Sequence, residues 1–221
     1  VQISGKSLAE VDGEYEIRIT EELSEVAYLD QIKLIAIDHP STTEIYTNDK
    51  FKGPPFPDFR LFGVNRRIKP VSAHDHRGAD VLGKLSSKDQ SYPDAFERDL
   101  SGSGTLHHLD LDFGKEAARD KKAILVLNGW VDWADGSTFL GVSQERRGGL
   151  IPPYLQVKDK NGAWVTVIED MGMPAGKPKT IVVDLTDKFL SDSREIRIVT
   201  NLCVYWDEIF LSEDTGTPAR T

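Results

Sequence analysis

Between Pro152 and Leu211 the chain sets short apolar runs against polar turns: YLQV, AWVTVI, TIVVDL, EIRIVT and VYWDEIFL, separated by segments rich in Gly, Pro, Asp and Asn. Tyr154–Val157 and Trp164–Ile168 flank Asp159-Lys160-Asn161-Gly162. Asn-Gly supplies the left-handed turn that twisted antiparallel strands need, so this stretch predicts a hairpin. Strands with one apolar face cannot stand alone in water and require a second layer. The block therefore predicts a sheet-on-sheet, all-β domain.

The rest of the chain extends that expectation. Tyr15, Ile17 and Ile19 alternate with charged residues, and Val26 to Asp38 reads as a further strand or strand pair. This opening parallels the end of the chain: EIRI occurs at 16–19 and 195–198, and an aromatic-x-Asp-x-Ile pattern at 28–32 and 205–209. The parallel suggests a duplicated β element or convergence of similar exposed strands. Glu44–Thr47 is a short strand candidate. FKGPPFPDFRLF at 51–62 holds three prolines and four aromatics, which predicts a loop laying Phe56, Phe59 and Phe62 over an open end of the sandwich. Residues 84–104 read as a boundary or loose loop. Leu106–Phe113 resumes alternation, with Leu109, Leu111 and Phe113 on one side and His108, Asp110 and Asp112 on the other. AILVLNGWV at 123–131 reads as a central strand buried on both faces. The expected division is an N-terminal β segment over 1–104 and a sandwich over 105–221, or one continuous domain that the N-terminal strands complete.

A chain of 221 residues buries a sizeable core without disulfides, and Cys203, its single cysteine, forms no intramolecular bridge. A net charge of -9 argues against a nonspecific grip on nucleic acid. No stretch approaches the apolar length of a membrane span, so no membrane insertion is expected. The first residues, VQISGKSLAEVDGE, are not a signal peptide, and the start at Val1 suggests a processed or excised piece of something longer.

Three constellations are chemically suggestive. In an extended strand His74 and His76 point to one side about 7 Å apart, and His108 or Asp110 from the other His-rich segment would complete a site for a divalent metal. Asp110 and Asp112 sit at i and i+2 like paired carboxylates, but on one surface rather than across a cleft, and read as a solvated strand face. Trp130, Asp132, Trp133, Asp135, Arg146 and Tyr154 combine aromatic faces for sugar C–H groups with polar groups for hydroxyls. Phosphate-loop, GxSxG, HExxH and EF-hand patterns do not occur.

The stretches YEIRITEELSEVAYLDQIKLIAIDHP, SAHDHRGADVL, HHLDLDFG and NGWVDWADGS, with the block from Pro152 to Leu211, resemble the terminal β-rich region of large secreted bacterial proteins carrying FG-GAP-type propeller or tetratricopeptide repeats. More loosely, VDLTDKFL, REIRIVTN and VYWDEIFL resemble galactose-binding-like jelly rolls. The resemblance implies a jelly-roll-like antiparallel β-sandwich at the cell surface or outside the cell, acting as an accessory module without catalysis or cofactor. Its expected partners are carbohydrate or protein domains of the same larger polypeptide. Two alternatives stand beside it: a metal-assisted hydrolase acting on glycans, and a purely structural or assembly module.

Overall fold

The computed structural model describes residues 3–19, 28–98, 104–115, 117, 122–131 and 149–213. They fall into two compact units, one within residues 1–38 and one within 39–218. The first contains a 3-10 turn over Gly5–Ser7, capped by Ser4, and an isolated bridge between Val11 and Glu14. The strands expected there are not seen among the described residues: 15–19 and 28–36 pair with no neighbour, and Tyr15, Ile17 and Ile19 are exposed.

Among the described residues the second unit is all-β, with ten strands in antiparallel sheets: β1 Glu44–Thr47, β2 Leu61–Val64, β3 Ser72–Asp75, β4 His107–Asp112, β5 Ala123–Val131, β6 Tyr154–Lys158, β7 Trp164–Ile168, β8 Lys179–Asp184, β9 Glu195–Thr200 and β10 Val204–Glu213. A five-stranded sheet has the order β3-β4-β9-β6-β7, a three-stranded sheet the order β10-β5-β8, and β1 with β2 forms a separate hairpin. From β4 onward the chain alternates between the two larger sheets, apart from the β6–β7 hairpin. Because β3 pairs with β4 from Ser72 opposite Asp112 to Asp75 opposite Leu109, the five-stranded sheet runs across residues 104 and 105.

One core lies between the two larger sheets. Leu109, Leu111, Leu155, Val157, Ile196 and Ile198 of the five-stranded sheet meet Leu125, Leu127, Ile181, Val183, Ile209 and Leu211 of the three-stranded one. Alternation sends Ile124 and Val126 of β5 the other way, where with Val182 and Phe210 they meet Tyr46, Phe62 and Val64 of the hairpin. β5 is thus covered on both sides, which is why its sequence is continuously apolar rather than alternating.

The β6–β7 turn forms where expected but by different chemistry. Gly162 takes φ +81°, while the Asp159 carboxylate accepts from the amides of Asn161 and Ala163. Aspartate and glycine carry the turn, and Asn161 stays out of the left-handed region. The Pro-rich loop also departs from expectation. Phe62 is buried as part of β2, whereas Phe56 and Phe59 are 75% and 56% exposed. No helix among the described residues is long and apolar enough to cross a membrane.

Candidate functional site

The outward face of the five-stranded sheet brings the two His/Asp segments together. Ladder pairing places His74 opposite Asp110, Asp110 opposite Arg197, Arg197 opposite Gln156 and Gln156 opposite Thr166, one polar row across five strands. Arg197 grips Asp110 with two hydrogen bonds, Nε to Oδ1 at 2.6 Å and Nη2 to Oδ2 at 2.7 Å, and its guanidinium lies 4.5 Å from the centre of the Trp164 ring. His108 Nε2 stands 3.8 Å from Asp110 Oδ2. Burial holds the His108 imidazole below its usual range, and Arg197 adds to this while Asp110 opposes it.

Both oxygens of Asp110 already serve a cation, and β3 ends at Asp75, so His76 lies beyond the strand that was to align it with His74. The Asp75 carboxylate turns the chain there by accepting from the amides of Arg77 and Ala79. Among the described residues no three His, Cys, Asp or Glu side chains are grouped to hold an ion.

His76 instead meets His107, their ring centres 5.6 Å apart, at one end of the space between the sheets. Phe96 packs on His107 at 5.1 Å, and Pro93, Ala95, Thr200, Val204 and Trp206 help enclose a cavity of about 30 Å³. That is room for a water or two. His76 Nε2 is buried there without a hydrogen-bond partner. The His107 ring nitrogen Nδ1 lies 2.8 Å from the Thr105 carbonyl, so the neutral ring donates there. Burial pushes the His107 imidazole down, and His76 and His108 push in the same direction against the Thr105 hydrogen bond.

Residues 84–98, expected to be loose, are a strap held along its length. Leu85 is fully buried, the Lys84 ammonium reaches the Tyr92 carbonyl and the Asp94 carboxylate, and Asp207 accepts from the amides of Asp89 at 3.1 Å and Gln90 at 3.0 Å. Asp207 reaches the strap because β10 bulges between Trp206 and Glu208, which releases its side chain from strict alternation.

The strap lays aromatic rings on the outward face of the three-stranded sheet. Trp130 and Tyr205 are ladder partners, and their rings stack at 4.4 Å with 10° between planes. Tyr92 meets both edge-on, at 6.1 Å from Trp130 and 5.9 Å from Tyr205, and Phe96 meets Tyr205 at 5.1 Å. Polar groups follow in the next rows. Asn128 lies opposite Glu208, whose Oε1 accepts from Arg67 at 2.7 Å and whose Oε2 is buried without a partner. Arg67 also binds Glu44 and the Tyr46 hydroxyl. Burial raises the Glu44 carboxyl, but hydrogen bonds from Tyr46 and Arg67 outweigh it and hold the group below its usual range; burial and the bond to Glu44 push the Tyr46 phenol up.

Of the expected sugar-binding set, Trp130 stands in this platform, half-buried, while Tyr154 lies on the five-stranded sheet, in register with Val199 and His108. Asp132, Trp133, Asp135 and Arg146 lie outside the described residues. Sequence reasoning missed Tyr92, Phe96, His107 and Tyr205 as members of one aromatic group. The Tyr205 pattern was visible, but its pairing with Trp130 depends on a register that passes through the bulge. Comparisons with protein-family models, curated proteins and solved structures gave no match.

Proposed function

We propose that residues 39–213 form a non-catalytic binding module for carbohydrate, working outside the cell or at its surface, with Trp130 as the stacking residue. The observation that carries this reading is the Trp130–Tyr205 stack: a flat, half-buried indole held rigid by a ladder partner and by Tyr92, bordered by the polar side chains of Asn128 and Glu208. Rigid aromatic surface gains contact area at small cost in side-chain entropy, which suits the apolar faces of sugar rings. The order of strands supports a jelly-roll winding, since successive crossings between two sheets place β9 between β4 and β6, and β10 beside β5. The polar row on the opposite sheet, with Asp110 tied to Arg197, supports binding without metal-assisted hydrolysis.

The test is a glycan array followed by calorimetric titration of the best ligand, in native salt with calcium. W130A is expected to weaken binding at least tenfold, about 1.4 kcal/mol, and Y154A to leave it unchanged. A blank array, or equal binding by W130A, removes the reading. A second reading, that of an assembly module, is favoured by Phe51, Phe56 and Phe59, exposed at 59%, 75% and 56% on one Pro-rich loop. Its signature is a mass that rises with concentration and returns to that of a single chain in F56S/F59S.

A further inference from the structure

Residues 16–36 carry the strand pattern of β9 and β10, and those of them that the structure describes, 16–19 and 28–36, join no ladder. Glu16-Ile17-Arg18-Ile19 repeats Glu195-Ile196-Arg197-Ile198, and Tyr28-Leu29-Asp30-Gln31-Ile32 follows Tyr205-Trp206-Asp207-Glu208-Ile209. The likeness extends to the irregular feature of β10. Its core-facing residues are Val204, Trp206, Ile209 and Leu211, steps of two, three and two, because the bulge at Asp207 inserts one residue. Positions 27, 29, 32 and 34 hold Ala, Leu, Ile and Leu, the same steps, with aspartate again at the bulge position. A generic amphipathic strand steps by two throughout, so convergence on simple alternation does not produce this spacing.

The matched residues differ in their surroundings. Ile196, Ile198, Ile209 and Leu211 are at most 1% exposed, whereas Ile17, Ile19, Leu29, Ile32 and Leu34 are 41% to 70% exposed. Arg197 reaches across to Asp110 on β4, while Arg18 pairs with Glu16 two residues away. An apolar face in this register fits a sheet pair that has open places between counterparts of β4 and β6 and beside a counterpart of β5.

We propose that residues 16–36 are the closing strand pair of a second sandwich of this same fold, and that the partner covering their apolar face is a β3–β8-like framework lacking its own last two strands. Lys33 stands where β10 has Phe210, so in that second sandwich the outward face at this position is solvated rather than covered by a hairpin like that of β1 and β2.

The sandwich of residues 39–213 can serve as the host, within the full chain. Residues 27–36 are grafted onto positions 204–213, keeping Phe in the place of Lys33 because the β1–β2 hairpin packs there. A control graft reverses Leu29 and Asp30, moving the bulge by one residue. The first graft is expected to keep a single cooperative thermal transition, and the control to lose it. By hydrogen exchange the grafted copy is expected to be protected while its parent segment at 28–36 of the same molecule is not. A reduced graft, W206L with E208Q, answers for the case in which cavities left by the smaller residues unfold the full one. Equal behaviour of graft and control, equal protection of the two copies, or loss of the transition in both full and reduced grafts overturns the proposal.

Discussion

Gly129 is the point at which fold and platform depend on the same few tenths of an ångström. It lies in β5 between Asn128 and Trp130, opposite Trp206 on β10. A Cβ at this position would stand 2.5 Å from the Tyr205 carbonyl oxygen, 3.0 Å from Trp206 Cε3 and 3.2 Å from Trp206 Cα. Since two of these atoms are backbone of a paired strand, no rotamer change relieves the clash, and β10 must shift along a ladder whose Ile209 and Leu211 are buried. Overpacking of this kind costs about 1–3 kcal/mol, and a backbone clash belongs at the upper end. At about 2–4 °C per kcal/mol for a unit of this size, G129A is expected to lower Tm by about 6–12 °C. It is also expected to weaken the near-ultraviolet circular dichroism of the Trp130–Tyr205 stack. G162A is the contrast: Gly162 has φ +81° and nothing within 4 Å of the added atom, so only left-handed strain of about 1–2 kcal/mol applies and the aromatic signal stays. Calorimetry and circular dichroism on both variants decide it. A G129A protein within about 0.5 kcal/mol of the parent, a typical surface-substitution effect, with its aromatic signal intact, would refute the steric reasoning.

Three further perturbations read other parts of the molecule. D207A removes the acceptor of two strap amides and is expected to cost about 2–4 kcal/mol, taking each charge-assisted hydrogen bond at 1.5–3 kcal/mol less partial hydration of the freed amides; D207N keeps an acceptor oxygen and should recover most of it in thermal melts. R197M and D110N each break the partly buried pair, with a loss of about 1–2 kcal/mol between exposed and buried cases; a double-mutant cycle should return a coupling near 1 kcal/mol, and a value near zero would mean the pair is ornamental. The folded protein holds His107 below the ordinary imidazole range, so the unfolded chain takes up the proton first as the medium is acidified. The stability linked to His107 is therefore full above about pH 6.5 and is lost as pH falls through the depressed value. H107Q should flatten the decline of Tm between about pH 7 and 5, and an unchanged slope would rule His107 out as its source.

Much of the sandwich was legible because its strands obey local rules. Glu44–Thr47 and Glu195–Thr200 stand where alternation and β-branched residues placed them, and β5 announced itself by lacking alternation altogether. The strand pattern of residues 15–19 is equally clear, yet they pair with nothing. A period of two specifies which side of a strand is apolar but not whether a partner is present to cover it. The strap was misread for the opposite reason. Its Ser, Asp and Lys residues look solvated, but what holds it is a carboxylate more than a hundred residues away and two rings on the neighbouring sheet.

The His/Asp segments show what spacing within a segment leaves open. Both segments read as extended, and β3 and β4 do lie side by side, so His74 and Asp110 meet as expected. What spacing within each segment cannot show is the strand on the far side of β4. That strand is β9, and it delivers Arg197, whose planar fork satisfies both oxygens of Asp110 in the plane of the sheet's polar row. A carboxylate so engaged would have to give up two charge-assisted hydrogen bonds before it could ligate an ion, and the arginine would remain beside any cation that replaced it. The same pairing leaves the outward faces of the two sheets chemically different. On the five-stranded sheet the row from Asp110 to Thr166 is held by its own cross-strand hydrogen bonds, whereas on the three-stranded sheet the half-buried Trp130 packs against Tyr205 and Tyr92, and the polar groups of the next row, Asn128 and Glu208, are tied to Thr180 and Arg67.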